Sequence, residues 1–168
     1  VTRAGAAGNR NAFTEFHKEQ TMPQFSRKVT VDWQGPLREG GKGTARAGTG
    51  AFTLPVSFLR RIGEPEGVTS PEELIAAAHA SCYAMALNGA VGRKGGAIGT
   101  THVTCTIAAD LSDAGIKITT STLDVVAEGL TGIDAASFPD VAKEAEGKCP
   151  VSNALRGSLT ITVNASVK

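Results

Sequence analysis

Between Leu74 and Leu87 the chain is almost entirely apolar on every side of a helix, through Leu74, Ile75, Ala76 to Ala78, Ala80, Cys82 and Ala84 to Leu87. The helix has a clear start. Ser70 is a good N-cap and Pro71 suits the first helical position. Ser70 with Glu73 fits a capping box, which gives Glu73 a structural task and leaves Glu72 without one. The helix is expected to run to about Val91 and to stop in the Gly92 to Gly96 region. A helix that is hydrophobic all round is buried all round. The remaining chain offers it one sheet of about six strands, which covers one side only. The other side needs a partner, and small side chains suit close approach of a second helix. The pattern therefore points to a dimer whose central helices pack together.

Strand patterns flank this helix. Phe25 to Trp33 alternates Val29, Val31 and Trp33 against polar positions, Gly43 to Ala47 follows a Gly-rich turn, and Phe52 to Phe58 carries Pro55, which suits an edge or irregular strand. Thr101 to Leu111 and Ile116 to Ala127 flank the hairpin-like turn Ser112 to Gly115. Asp134 caps a second helix, Ala135 to roughly Glu146, ended by Gly147; a short helix from Pro150 to Arg156 precedes a last strand, Leu159 to Val163. The order is βββ-α-ββ-α-α-β, an α+β layout. Residues 25–168 are expected to form one domain. Residues 1–24 are small and polar without a strand or helix period, and are expected to be a mobile N-terminal extension, with 1–22 an addition upstream of the folded part.

Composition narrows the function classes. A net charge of +1 gives no electrostatic reason to bind nucleic acid or an anionic membrane, and aromatics at 5% argue against a base-stacking surface. No uninterrupted apolar run reaches the roughly 18 residues of a membrane helix, and the first residues lack the apolar core of a secretory signal. Three cysteines do not make a secretory disulfide framework. A cytoplasmic enzyme or binding domain is the expectation. No Ser/His/Asp grouping or nucleophile elbow supports a hydrolase, and the Gly-rich stretches do not join strand to helix as dinucleotide binding requires.

Two of the thiols have defined helical contexts. Cys82 lies inside the apolar helix and Cys149 opens the short one, as Cys149-Pro150-Val151-Ser152-Asn153-Ala154-Leu155. Isolated thiols so placed suggest cycling between dithiol and disulfide. Cys105, mid-strand beside apolar neighbours, reads as core. The run Pro71-Glu72-Glu73-Leu74-Ile75-Ala76-Ala77-Ala78-His79-Ala80-Ser81-Cys82-Tyr83-Ala84-Met85-Ala86-Leu87, followed by that second motif, resembles the OsmC/Ohr family of thiol peroxidases over about Lys28 to Lys168. His79 and Met85-Ala86-Leu87 resemble its OsmC branch. The resemblance implies an intertwined homodimer with sites at the subunit interface and reduction of peroxides, organic ones especially. It implies Cys82 as peroxidatic thiol, Cys149 as resolving thiol, Glu72 as acidic partner, and an activating arginine for which Arg61 is the best match and Arg60, beside it, the alternative. It implies neither cofactor nor metal, and a dithiol reductant, of lipoyl type in this family.

The chemistry needs these residue types. A free cysteine with a pKa of about 8.5 is mostly thiol near neutrality, and burial in an alanine-rich helix raises the value further. A guanidinium reverses that trend and can donate hydrogen bonds to peroxide oxygens as charge develops. A carboxylate can hold the guanidinium by a planar two-bond pairing that lysine cannot mimic. Glu72 and Cys82 are ten residues apart, about 15 Å along one straight helix, so Glu72 is expected to serve the Cys82 of the other subunit with the helices antiparallel. Two other readings use the same residues. His79-x-x-Cys82 and His102-x-x-Cys105 have the spacing of zinc ligands, but positions 102 and 105 point to opposite sides of a strand. A redox-responsive binding protein would use the thiol pair without turnover.

Overall fold

The computed structural model describes residues 25–168. The expectation of a mobile extension over 1–24 lies outside the described residues. Two elements follow from local chemistry in the strongest sense. The long helix α2, Pro71–Arg93, begins where Ser70 accepts a hydrogen bond from the Glu73 N–H at 3.1 Å. Only that half of the capping box forms, because the Glu73 carboxylate instead accepts from the Thr69 hydroxyl. Cys149 ends α3 (Phe138–Lys148) and starts α4 (Pro150–Leu155), with Pro150 in the first turn of α4.

The strands are β1 (Val29–Gln34), β2 (Lys42–Ala47), β3 (Thr53–Ser57), β4 (Thr100–Ser112), β5 (Gly115–Glu128) and β6 (Thr160–Val167). They form two three-stranded sheets, β1-β2-β3 and β4-β5-β6, which corrects the expectation of one sheet of about six strands. The division has a physical cause. The chain after β3 enters a short helix α1 (Phe58–Ile62) and then α2, so the meander pairs only with itself, while β4 and β5 pair as a long hairpin. The crossover through α3 and α4 returns β6 parallel to β5, placing β5 at the centre of the second sheet.

Three smaller differences from the sequence reading also have causes. Pro139 sits in the first turn of α3, so the helix starts at Phe138 and the preceding Ala135–Ser137 is a 3-10 turn capped by the Asp134 side chain. Gly147 lies inside α3, which stops one residue later. Strand β6 extends to Val167 because its alternation of Ile161, Val163, Ala165 and Val167 persists through polar Asn164 and Ser166.

The core lies between α2, α3 and the second sheet. Along α2 the buried residues are His79, Tyr83, Leu87, Ala90 and Val91, one face at helical spacing. From α3 come Phe138, Val141, Ala142 and Ala145, and from β5 Leu123, Val125 and Ala127. Tyr83, wholly buried, donates its hydroxyl to the Ala142 carbonyl at 2.8 Å and so ties α2 to α3. Burial pushes the Tyr83 phenol strongly upward, so it remains a donor. Tyr83→Phe is expected to lower the unfolding free energy by about 1 kcal/mol in a denaturant titration, the loss of one buried hydrogen bond. The chain leaving α2 passes close to Gly132, whose φ is +76 and whose added Cβ would sit 2.5 Å from the Gly95 carbonyl oxygen. Only glycine meets both demands there.

By length and composition, α2 is the one helix among the described residues apolar enough to cross a membrane. The expectation drawn from uninterrupted apolar runs missed this, because His79, Ser81 and Tyr83 interrupt the run while the rest stays hydrophobic. Its packed face marks it as a core helix. The opposite face is uncovered in a single chain: Ala77, Ala78, Ser81 and Met85 are exposed, Met85 by 70%. Every residue of β1 is exposed too, including Val29, Val31 and Trp33. Apolar area on this scale marks an interaction surface.

Candidate active site

Cys82 and Cys149, far apart in sequence, come together in the fold. Cys82 is three residues beyond His79 on α2 and packs, partly buried, against the hydrophobic cluster that includes Cys149. Cys149 is wholly buried at the α3–α4 junction. Its Sγ serves as the N-cap acceptor of α4, taking the Ser152 N–H at 3.5 Å. Burial raises the Cys82 thiol above its ordinary value, a backbone hydrogen bond from Val151 opposes the rise, and the neighbouring Cys149 thiol adds to it. All three cysteines are free thiols. With its own chain alone, Cys82 is therefore held as a thiol, and no arginine is among the groups that shift it.

The cation lies elsewhere. Arg61, on α1, meets Glu72 in the first turn of α2, its Nε 3.1 and 3.0 Å from the two carboxylate oxygens and its Nη2 bonded to Oε1. This is the planar, multiple pairing that only a guanidinium makes. Hydrogen bonding from Arg61 holds the Glu72 carboxyl below its ordinary range, against an opposing effect of burial. Arg60, beside it, turns outward to Glu66 at 2.6 Å and to the Glu64 carbonyl. The structure thus joins Arg61 to Glu72 and Cys82 to Cys149, but it does not join the two pairs within one chain.

The depressed Glu72 value carries a pH consequence. A carboxyl with a folded pKa below the unfolded one stabilises the fold fully above the unfolded value and loses that stabilisation as pH falls through the folded one. Acidification from neutrality to below 4.5, the ordinary Glu value, is thus expected to weaken the Arg61–Glu72 link. Thermal unfolding measured against pH should show the gap between the unsubstituted chain and Glu72→Gln closing on the acid side.

Two clefts open on the Arg61–Glu72 pair. One, about 380 Å³, is lined by Arg61, Glu72, Ala76, Cys105 and Ile107; the other, about 360 Å³, by Arg61, Ile62, Glu72, Ile107 and Leu111. Both linings mix charged and apolar side chains, with Glu73 and Arg60 also on the first and Asp110 on the second. Cys105 packs against the core as expected, yet also borders this cleft; burial raises its thiol, and a contact with Ser121 Oγ at 3.4 Å opposes the rise. Sequence reading missed the surroundings of His79, whose ring nitrogens meet Ser121 and Ser152. Ser152 stood in the quoted second motif, but nothing in the sequence links it to a histidine 73 positions earlier. As for zinc, both His79 nitrogens face hydroxyls, and among the described residues no three His, Cys, Asp or Glu side chains gather as a metal site.

Comparison with known proteins shows the family of the chain. Residues 63–164 match the family described as OsmC-like protein. The chain is 36% identical over 136 residues to Peroxiredoxin OsmC of Escherichia coli strain K12, covering 80% of this chain and 93% of that protein. It is 34% identical over 103 residues to the organic hydroperoxide resistance protein OhrA of Bacillus subtilis strain 168, covering 60% of this chain and 70% of that one. In fold it is similar to an organic hydroperoxide resistance protein OsmC from Legionella pneumophila, with a TM-score of 0.68 at 22% identity over 87% of this chain and all of that one. The OhrB protein of Bacillus subtilis superposes with a TM-score of 0.67 at 22% identity, over 84% and 98% of the two chains. With the family match over residues 63–164 and 36% identity to a curated relative over 93% of its length, the chain belongs to the OsmC family.

Proposed function

We propose that this protein is a cytoplasmic, two-cysteine peroxidase that reduces organic hydroperoxides, and hydrogen peroxide, as a homodimer. The observation that carries the reading is the meeting of Cys82 with Cys149 in the folded chain. The curated relatives are named for peroxide chemistry, and three cysteines do not make a secretory disulfide framework. Residues 25–168 act as the one catalytic domain.

Cys82 thiolate attacks one peroxide oxygen. The O–O bond breaks, the sulfur takes the hydroxyl to become a sulfenic acid, and the other oxygen leaves as an alkoxide that takes up the proton given off when the Cys82 thiol ionised, yielding alcohol, or water from hydrogen peroxide. The Cys149 sulfur then attacks the Cys82 sulfur, the S–O bond breaks, and the sulfenic oxygen leaves as water with the Cys149 proton. An external dithiol, possessing two electrons to give, reduces the Cys82–Cys149 disulfide by exchange and is itself oxidised to a disulfide. A lipoyl-type dithiol is the reductant that the family likeness favours.

The first step needs a thiolate, which the single chain opposes at Cys82. Arg61 of a second copy, oriented by its Glu72, supplies the missing cation in this reading. Helix geometry supports it. Position 77 lies midway between 72 and 82, and an antiparallel pairing centred there sets Glu72 of one helix opposite Cys82 of the other. The face at that centre is Ala77, Ala78 and Ser81, exposed and small enough for helices to approach closely. The reading is tested by following peroxide loss with purified protein and excess dithiol. Many equivalents consumed per subunit are expected; consumption of only one would leave a redox-responsive binding protein instead.

A further inference from the structure

Attached to the Cys149 thiol is a buried polar chain that the peroxide chemistry does not use. His79 is wholly buried, with Ser121 Oγ 2.8 Å from its Nδ1 and Ser152 Oγ 2.8 Å from its Nε2. Ser121 also meets the Cys105 thiol, and the Ser152 N–H donates to Cys149 Sγ. A neutral imidazole donates from one nitrogen and accepts at the other, so the two serine hydroxyls take opposite roles. One side chain thereby ties α2 to β5 and to α4. Buried polar groups are costly unless every member is satisfied, and a satisfied network holds a single arrangement. Both serines are wholly buried and no buried side-chain polar atom among the described residues lacks a partner. Helix α4, six residues long, is too short to hold its own first turn in place.

We propose that His79 is the positioning residue for the second thiol: through Nε2 it fixes Ser152, and with it the first turn of α4 that presents Cys149 to Cys82. The proposal rests on the thiol-pair reading above, though not on peroxide as the oxidant. His79 takes no proton in the resolving step; it acts through Ser152.

The test uses full-length protein in a Cys105→Ser background, so that only the two site thiols are counted. An activated aromatic disulfide loads the partly exposed Cys82 as a mixed disulfide and releases one aromatic thiol. Cys149 then attacks the Cys82 sulfur, closing the bridge and releasing a second. The second phase reads delivery of Cys149 without any peroxide. In His79→Gln the side-chain amide reaches the place of Nε2 and can keep Ser152; in His79→Asn it reaches the place of Nδ1 and keeps Ser121 alone. His79→Asn is expected to slow the second phase about tenfold, the effect of one lost hydrogen bond, with His79→Gln within about threefold of the unsubstituted rate. The first phase should stay within about twofold in both, since Cys82 loading makes no use of α4. Ser152→Ala, which deletes only a hydroxyl, should reproduce the Asn result. Equal rates for Asn and Gln, or an unslowed Ser152→Ala, would overturn the proposal. A chain that shows the expected second-phase pattern but consumes no peroxide supports this inference while removing the peroxidase reading.

Discussion

Cys82→Ser is expected to abolish dithiol-driven peroxide consumption, by on the order of 10³-fold or more, because the hydroxyl that replaces the thiol is not a nucleophile towards peroxide at neutral pH. Cys149→Ser should behave differently. It leaves the attacking sulfur in place, so one equivalent of peroxide is consumed per subunit and the product stalls as a sulfenic acid. A sulfenic-acid-specific label on Cys82 should be stoichiometric in that variant and transient in the unsubstituted protein. Cys105→Ser should keep most of the activity, since the Cys105 thiol packs against the core and is raised by burial. The three cysteine variants together separate nucleophile, resolver and packing residue by stoichiometry as well as rate.

The second large effect concerns the guanidinium. Arg61→Ala should lower turnover by about 10²- to 10³-fold, the loss of a preorganised donor and cation at the reacting centre. The informative experiment is a mixture. Arg61→Ala chains retain Cys82, and Cys82→Ser chains retain Arg61, so each homodimer is inactive. If Arg61 serves the partner's thiol, a hybrid dimer contains one complete site, and a randomly reassorted equal mixture should recover roughly a quarter of the unsubstituted rate. If Arg61 served its own Cys82, the hybrid would hold no complete site and the mixture would stay inactive. The same logic applies to Glu72, whose two carboxylate oxygens both bond Arg61.

Much of this arrangement was legible from local chemistry. Ser70, Pro71 and the apolar run define α2 because capping and hydrophobic pattern act within a few residues. The strands around Ser112 to Gly115 were legible for the same reason. Four features were not. The split into two sheets depends on which strands pair, a long-range choice that alternation alone does not encode. The start of α3 turned on Pro139, read past in favour of the Asp134 cap. The pairing of Arg61, not Arg60, with Glu72 is set by α1, a five-residue helix with no acidic residue in its first turn and no side-chain cap bond to announce it. The His79 network lay hidden most deeply, since its members come from positions 79, 121 and 152 and only the fold brings them within 2.8 Å. In the sequence, His79 stood out through its spacing to Cys82 and its likeness to the OsmC branch, neither of which points to a serine.

One unmet requirement connects the site to the surface. The proposed reaction calls for a cation at Cys82, and no arginine of its own chain is among the groups that shift that thiol, while α2 and β1 expose apolar faces that a single chain leaves uncovered. In the proposed dimer a second copy would meet both needs at once. Covering Met85, Val31 and Trp33 would provide hydrophobic driving force for association, and the proposed antiparallel helix register would bring the arginine.

In the proposed cycle, peroxide drives Cys82 and Cys149 into one covalent bond. Peptide mass mapping of reduced protein, treated with one equivalent of cumene hydroperoxide and then alkylated without reduction, measures this directly. The expected product is a cross-linked peptide pair containing Cys82 and Cys149, two hydrogens lighter than the sum of its thiol forms, with Cys105 alkylated. Recovery of Cys82 and Cys149 both as alkylated thiols after the peroxide has been consumed would contradict it.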